Sequence, residues 1–187
     1  MPRDKDQTQH RIVEAAYYLF YQRGFTRVGV EEIAARAGIT KRTLYAHFRS
    51  KDDLLAAALR YYGELDLERL KVIGRGLPAR PQAMVDGFFA KLLDWADRPR
   101  WSGSGFTRLV LELADLPGHP ARAIAARAKT ATELWLADLL GNGGLKMSRE
   151  RAREVMLLME GAMVLMLIHG DRGYGKVAAR AAKRLLR

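Results

Sequence analysis

Apolar residues recur along this chain with the spacing of one helix face, and no stretch alternates strictly enough to predict a strand. The first such stripe has members at positions i, i+4, i+7 and i+8, namely Ile12, Ala16, Leu19 and Phe20. Gln7 or Thr8 is predicted to start this helix, and Gly24 is predicted to end it. The pattern therefore predicts an all-α protein.

The same spacing, with the usual start and stop signals, divides the rest of the chain into further helices. Ser50, followed three residues later by Asp53, has the pattern of a helix cap. Glycines and a proline interrupt the periodicity at 74–78, which predicts a domain boundary there. The further helices are predicted at 30–37, 41–48, about 51–73, 79–97, 104–115, 119–140, 148–169 and 174–186.

Two short predicted helices, 30–37 and 41–48, are joined by a turn that contains Gly38, which is the arrangement of a helix-turn-helix motif. Leu44 and Phe48 are the large apolar anchors of the second helix, and we expect them to pack against the first helix of the chain. The outward face of the second helix then consists of Lys41, Arg42, Tyr45 and Ala46.

The chemistry of this outward face suits DNA. In a helix-turn-helix motif the second helix lies in the major groove, where Lys41 or Arg42 can donate to guanine and a threonine or alanine methyl group can contact thymine. The side chains that suit phosphate oxygens are Tyr45, His47 and Lys51. A solvated polar helix face would show the same residue types, so the spacing of the whole segment has to decide between the two interpretations.

Net charge supports a polyanionic partner only weakly. The 187-residue chain carries a net charge of +11. Residues 1–60 contain 11 Lys and Arg against 7 Asp and Glu, so the excess of positive charge is spread along the chain. Charge that is not concentrated in one region indicates nucleic-acid binding less strongly than the positions of the individual cations.

The spacing of the whole segment does resemble a known family. The run from 24 to 57 reads GFTRVGVEEIAARAGITKRTLYAHFRSKDDLLAA and resembles the N-terminal domain of TetR-type transcriptional regulators. The matching elements are Gly24-Phe25, Ile33-Ala34, Ala37-Gly38-Ile39-Thr40, Thr43-Leu44-Tyr45, His47-Phe48, Lys51 and Leu54-Leu55. The resemblance implies a three-helix helix-turn-helix DNA-binding domain over residues 6–66, with its motif at about 29–48. A larger helical effector-binding and dimerisation domain over residues 75–187 would follow.

The resemblance also implies which residues contact double-stranded DNA. They are Gly29, Val30, Thr40, Lys41, Arg42, Thr43, Tyr45, His47 and Lys51. Thr40 is in addition the predicted N-cap of the recognition helix. The chain departs from many family members at Gly29, which can cap the helix that begins at Val30 but offers no hydroxyl group to a phosphate.

The C-terminal part is predicted to form a homodimer. Residues 155–168 are apolar nearly all round, and a helix of this kind must be covered on every side. The resemblance implies an interface through about 155–169 and 174–186, which would place two recognition helices on a palindromic operator.

The resemblance further implies a pocket for an unknown small-molecule effector in the second domain. The candidate lining residues, each of which is also a plausible core residue, are Phe88, Leu92, Trp95, Trp101, Phe106, Leu109, Trp135, Met159, Glu160, Met163 and Met166. Glu160 is the one charged residue within its apolar run, and a buried carboxylate needs a partner. Three environments remain open for Glu160. It could pair with an arginine of the same or the partner chain, pair with a donor group of the ligand, or lie at a solvent-exposed edge.

These observations predict a ligand-responsive, sequence-specific DNA-binding regulator, with a repressor favoured over an activator or co-regulator. A paralogue with weakened DNA binding is an alternative that Gly29 alone supports. Another is a nonspecific basic DNA-coating protein. A small helical enzyme with its active site around Glu160 and His169 is the alternative from a different class.

Several site classes have no support in the sequence. There is no cysteine, which excludes disulfides and thiolate metal sites, and no histidine spacing suggests a metal. The run from Gly170 to Lys176 resembles a phosphate-binding loop, but Val177 replaces the Mg²⁺-binding hydroxyl and only 11 residues follow Lys176. We therefore expect no catalytic residue, metal or cofactor.

The N-terminal sequence has no apolar segment of the secretory kind. The longest apolar run is shorter than the roughly 20 residues of a membrane span. The sequence therefore predicts a cytoplasmic protein with no membrane partner.

Overall fold

The fold is helical, as the sequence predicted. The structure, a computed structural model, describes residues 2–99 and 101–186, with side chains from residue 5 onward. Within these residues it contains nine helices and no strand. They are α1 Pro2–Arg23, α2 Val30–Arg36, α3 Lys41–His47, α4 Lys51–Arg75, α5 Pro81–Ala96, α6 Gly105–Leu111, α7 Pro120–Asn142, α8 Ser148–His169 and α9 Gly173–Leu185.

The start of α1 differs from the prediction. The helix begins at Pro2, ahead of the predicted start at Gln7 or Thr8. No residue between 3 and 7 is a glycine or a proline, so nothing in the sequence stops the helix from extending in the N-terminal direction. The Thr8 hydroxyl accepts a hydrogen bond from the Arg11 guanidinium at 3.5 Å instead of capping the helix.

The other predicted caps are confirmed. The Thr40 hydroxyl accepts a hydrogen bond from the backbone N–H of Thr43 at 3.1 Å and so caps α3. The Ser50 hydroxyl accepts from the backbone N–H of Asp53 at 3.0 Å, at the start of α4. Each bond satisfies a donor that the first turn of a helix leaves without an intrahelical partner.

Thr40→Ala is expected to destabilise α3 by about 1 kcal/mol, because it removes this acceptor from a helix only two turns long. Hydrogen exchange of the α3 amides measures the effect. Thr40→Ser keeps the hydroxyl and should restore most of the protection. Equal loss in both variants would show that the threonine methyl group, and not the cap, stabilises the helix.

The helices form two compact units. The first unit contains the chain through Asp66 together with Gly105–Ala128, and the second contains Leu67–Ser104 and the chain from Lys129 onward. Residues 105–128, which fall in the sequence range of the predicted second domain, 75–187, belong to the first unit. The reason is apolar burial, since α6 and the first half of α7 contribute Phe106, Leu109 and Ile124 to the first unit's core.

The core of the first unit joins helices that are distant in sequence. Leu44 and Phe48 point into it, as predicted, and Leu44 is fully buried. Besides these two and Phe106, Leu109 and Ile124, the large side chains of this core are Ile12, Val13, Leu19, Phe20, Val28, Ile33, Leu54, Leu55, Leu59 and Leu113.

The second unit has its own core, built from α5, α8, α9 and the second half of α7. Small residues let α9 lie close to its neighbours, because a Cβ at Gly175 would come within 2.7 Å of Leu93 and 2.9 Å of Met166.

Arg153 of α8 donates two hydrogen bonds to the Glu133 carboxylate of α7, at 2.8 and 3.2 Å. This ion pair raises the pKa of the arginine.

The glycine-rich segment that resembles a phosphate-binding loop is the turn between the last two helices. Gly170 ends α8 in the left-handed conformation, with φ of 65°, and α9 begins at Gly173. None of the helices in the described part of the chain combines the length and the apolar character that crossing a bilayer requires.

Candidate nucleic-acid interface

The structure forms the predicted helix-turn-helix motif from α2 and α3. Gly38 lies in the turn with φ of 67°, a conformation that glycine adopts without the steric cost other residues bear. Its N–H donates to the carbonyl of Ala35 at 3.1 Å, and the N–H of Ile39 donates to that of Ala34 at 3.0 Å. These bonds close the end of α2 and fix the direction in which α3 leaves it.

The outward face of α3 has the predicted composition. Lys41, Arg42, Tyr45 and Ala46 are exposed, and 44% of the Tyr45 surface is accessible to solvent. Their orientation follows from the burial of the two apolar anchors on the opposite side of the helix. Two cations and a phenol are therefore presented to solvent along one face.

Lys41 is held by an ion pair that the sequence did not predict. Its ammonium bonds the carboxylate of Glu31, in the first turn of α2. This hydrogen bond raises the pKa of Lys41 and lowers that of Glu31. Both side chains are exposed, so water and salt screen the pair, and a phosphate can replace the carboxylate.

Two other predicted contacts, Thr43 and His47, are only partly exposed. The Thr43 hydroxyl lies 2.9 Å from the Thr40 hydroxyl at the helix start. The His47 Nδ1 atom is buried, with no hydrogen-bond partner among the described residues. These side chains are less available to DNA in this structure than the face formed by positions 41, 42 and 45.

Gly29 is the N-cap of α2 and contributes no side-chain hydrogen bond. Its backbone is extended, with φ of −85° and ψ of 154°, and its carbonyl accepts from the N–H of Ile33 at 3.3 Å. Val30, the first residue of the helix, is half-buried. A contact with DNA at this point would therefore use backbone N–H groups of the helix start.

Lys51, at the start of α4, rests on an aromatic ring. Its ammonium lies 4.3 Å from the centroid of the Phe25 ring, within the range of a cation–π interaction. Partial burial lowers the pKa of Lys51, while the nearby carboxylates of Asp52 and Glu112 oppose that shift. The predicted phosphate contact thus has a defined position before any ligand is bound.

The contacts that Glu112 makes could not be predicted from the sequence. Directly after α6, its carboxylate accepts hydrogen bonds from the backbone N–H groups of Phe25 and Thr26, at 3.1 and 3.0 Å. It also accepts from the Thr26 hydroxyl at 3.0 Å. Gly24 leaves room for it, because a Cβ there would lie 2.6 Å from the carboxylate oxygen. A single side chain therefore fixes the turn between α1 and α2.

Two further residues from the same part of the chain contact the N-terminal helices. Arg108 of α6 donates to the backbone carbonyl of Tyr21, in the last turn of α1. His119 accepts a hydrogen bond at Nδ1 from the N–H of Ala121 at 3.2 Å, which caps the start of α7. Its Nε2 atom lies 3.5 Å from the carboxylate of Asp52. The local pattern of residues does not predict contacts between residues that are this far apart in the sequence.

The predicted pocket residues are divided between the two cores. Phe106 and Leu109 lie in the core of the first unit. The others lie in the second unit, where Phe88 packs on Trp135 at 6.4 Å and Trp95 meets Trp101 edge to face at 5.7 Å. The remaining members there are Leu92, Met159, Glu160, Met163 and Met166. A surface depression in that unit is lined by different residues, Arg80, Gln82, Ala83, Asp86 and Lys183.

One partner of Glu160 is a lysine. The Glu160 carboxylate bonds the Lys129 ammonium of α7. The Glu160 side chain is 24% exposed, so its carboxylate is partly accessible to solvent. His169, the other residue of the hypothetical active site, is exposed and stacks on Tyr174 at 5.0 Å.

Comparison with known proteins identifies the motif. A sequence model of bacterial regulatory proteins of the tetR family matches residues 12–58. The transcriptional activator FasR of Mycolicibacterium smegmatis is 32% identical over 165 residues, which are 84% of this chain and 69% of that protein. The uncharacterised regulator YerO of Bacillus subtilis is 34% identical over 80 residues, 43% of this chain, and this match spans 28% of YerO. Two other relatives are named repressors.

The fold is also that of solved regulators. The crystal structure of reduced NemR from E. coli has a TM-score of 0.85 at 22% identity, covering 95% of this chain and 96% of that one. This likeness concerns the fold, whereas the identity to FasR extends along most of the sequence. Since the matched segment is also the segment that folds into the helix-turn-helix motif, the chain belongs to the TetR family of DNA-binding transcriptional regulators, which are not enzymes.

Proposed function

We propose that the protein is a homodimeric, ligand-responsive repressor that binds a palindromic operator with α3 in the major groove. The observation that carries this proposal is the exposed face of Lys41, Arg42 and Tyr45 on a helix anchored from behind by Leu44 and Phe48. Such a face can reach base edges and phosphates at the same time. Gly29, Val30, Thr40, Thr43, His47 and Lys51 complete the proposed contact surface.

An apolar stripe on α8 supports the homodimer. Leu157 and Ile168 are 69% and 67% exposed, and Val164 between them is 42% exposed. With Gly161 they follow the spacing of one helix face, so the stripe is continuous. An exposed apolar surface of this kind usually marks a site of association. It supports the first proposed interface segment, 155–169.

The second proposed interface segment, 174–186, has less apolar surface to offer. Gly175, Ala178 and Ala182 of α9 are buried within the unit. Val177 is exposed, but the outward face of the helix is otherwise basic and includes Lys176, Arg180, Lys183 and Arg184. We therefore place α8 at the centre of the interface and α9 at its rim.

The aromatic side chains that pack on one another in the second unit support an apolar or aromatic effector. Helices α4 and α7 each contribute residues to both units. We infer that a ligand bound in the second unit acts on the first through these helices. We propose that this coupling, typically about 1–3 kcal/mol, releases the repressor from its operator in the cytoplasm.

An activator is the second candidate function. The observation that favours it is the name of FasR, a relative aligned over most of this chain and named an activator. Both functions require operator binding, so the same binding assay is the first test. A reporter gene placed behind the operator separates them, because a repressor lowers its expression and an activator raises it.

The proposed function is tested by operator binding of Arg42→Ala. Fluorescence anisotropy with fragments from upstream of the protein's own gene should show one short palindrome bound more tightly than scrambled DNA. Arg42→Ala is expected to weaken this binding by about 1–3 kcal/mol and to relax the preference at one base pair in each half-site.

Arg60→Ala is the matched control, because it removes an equal charge from an exposed arginine of the first unit, outside the helix-turn-helix motif. It should lower the affinity for operator and scrambled DNA by the same small factor. An unchanged base preference in Arg42→Ala would reject base recognition by this residue. Equal binding of operator and scrambled DNA by the wild-type protein would reject sequence-specific regulation through that site.

A further inference from the structure

Phe25 is the centre of a group of contacts within the first unit. Its backbone N–H donates to the Glu112 carboxylate at 3.1 Å, and its ring lies beneath the Lys51 ammonium at 4.3 Å. The ring of His119 approaches it edge to face at 6.4 Å. His119 also lies against Asp52, the neighbour of Lys51. The segment after α6 therefore holds the residue on which Lys51 rests.

We propose that Glu112 is a positioning residue for DNA binding: it fixes the turn after α1 so that the Phe25 ring presents the Lys51 ammonium to a DNA phosphate. The inference rests on the proposed phosphate contact of Lys51. The inference adds Glu112 to the residues that support DNA binding, although Glu112 lies 86 positions after Thr26 in the sequence.

Glu112 constrains this turn through three hydrogen bonds and not through one alone. Its two carboxylate oxygens accept from two successive backbone N–H groups and from the Thr26 hydroxyl. Two successive N–H groups held by one carboxylate constrain the two peptide planes that flank Phe25, because both donors must point toward the same group. The direction of the Cα–Cβ bond of Phe25 follows from those two planes.

The position of Lys51 depends in turn on the ring. A lysine side chain has four rotatable bonds and would otherwise sample many positions in water. The face of an aromatic ring attracts the ammonium and limits that freedom. A cation already held near its binding position loses less entropy when it meets a phosphate.

The sign of the charge effect makes the inference testable. Glu112 is an anion, so its charge alone repels DNA, and its removal would strengthen binding if repulsion were its only influence. A positioning role predicts the opposite, because loss of the carboxylate would release Phe25 and with it Lys51. Weaker DNA binding after removal of a negative charge is therefore diagnostic.

The first test needs no DNA. In the wild-type protein the Phe25 ring should shift the NMR signals of the terminal methylene protons of Lys51 upfield. Glu112→Gln keeps the size of the side chain but replaces one acceptor oxygen by a donor, so this shift should decrease. Asp115→Asn is the matched control, since it removes the same charge from an exposed residue of the same segment and should leave the Lys51 signals unchanged.

The second test measures binding to the operator fragment, or to any duplex that the wild-type protein binds, as a function of salt. One phosphate contact contributes about 0.9 to the slope of log affinity against log salt, or about fivefold in affinity near 0.15 M salt. Lys51→Ala should lose this contribution, and Glu112→Gln should lose about two- to fivefold with a smaller slope. The double variant should bind no more weakly than Lys51→Ala alone, whereas Asp115→Asn should bind as tightly as the wild type or more tightly.

The outcomes separate the possible failures. Unchanged Lys51 signals in Glu112→Gln would overturn the inference whatever the DNA result. Weaker binding with an unchanged slope, additive with Lys51→Ala, would also overturn it, because Glu112 would then act through stability. If the Lys51 signals respond but Lys51→Ala binds as tightly as the wild type, the proposed phosphate contact fails and the role of Glu112 in DNA binding fails with it.

Discussion

Leu44→Ala is expected to lower the free energy of unfolding of the first unit by about 2–5 kcal/mol. The side chain is fully buried in the core that α3 shares with α1 and α2. Its truncation removes apolar contacts and leaves a cavity that the surrounding helices can fill only in part.

The recognition helix is especially sensitive to this loss. α3 has seven residues, and an isolated helix of that length is unstable in water, so its shape depends on burial of its anchors. DNA binding should therefore weaken together with stability in Leu44→Ala, although Leu44 itself faces away from the proposed interface.

Leu111→Ala provides the matched control for this variant. Leu111 belongs to the same unit and is 62% exposed, so the same substitution should cost less than about 0.5 kcal/mol. All three tryptophans, Trp95, Trp101 and Trp135, lie in the second unit. Hydrogen exchange of α2 and α3 amides is thus the appropriate measurement, because tryptophan fluorescence reports on the other unit. Equal protection in both variants would contradict the role of Leu44 as a core anchor.

The helix-turn-helix motif could be predicted from the sequence because its determinants are local. The apolar spacing of α1 and α3 selects the buried faces, Gly38 supplies the left-handed turn, and Thr40 and Ser50 cap the helices that follow. Each of these signals acts within about one helical turn. The outward orientation of positions 41, 42 and 45 follows from them.

The extent of the first unit could not be predicted in the same way. Phe106 and Leu109 have the apolar character of any core residue, and nothing in their local sequence indicates which of the two cores they join. Glu112 likewise resembles an ordinary surface carboxylate until the chain brings it against the backbone N–H groups of Phe25 and Thr26. Long-range packing decides these positions, and local patterns contain no information about it.

The packing of α8 could be predicted from the sequence only in part. Its composition predicted that all of its sides must be covered, but it did not show which side the chain itself covers. The structure places Val155, Met163 and Met166 inside the second unit and leaves Leu157, Val164 and Ile168 exposed. The exposed side thus defines a specific surface on which the proposed homodimer can be tested.

Leu157→Glu is expected to dissociate the proposed homodimer and to abolish tight operator binding. Leu157 is 69% exposed within the chain, so a glutamate there costs the folded subunit little. In a two-fold interface each substitution occurs twice, once from each subunit. Two carboxylates without partners would then be buried in the interface, at a cost of several kcal/mol. Dimer affinity should fall by more than about a hundredfold.

Analytical ultracentrifugation measures the oligomeric state of this variant, and circular dichroism measures its helix content. Leu157→Glu should sediment as a monomer at concentrations at which the wild type is dimeric, with unchanged helix content. Leu116→Glu places the same charge on another exposed leucine, in the loop before α7, and should remain dimeric. Operator affinity should fall only in Leu157→Glu, because a monomer binds a single half-site. In a dimer, binding of one subunit raises the effective concentration of the other subunit at the second half-site, and a monomer lacks this gain. A dimeric Leu157→Glu protein with wild-type affinity would show that the apolar stripe of α8 lies outside the interface, and the stripe would then require a different partner.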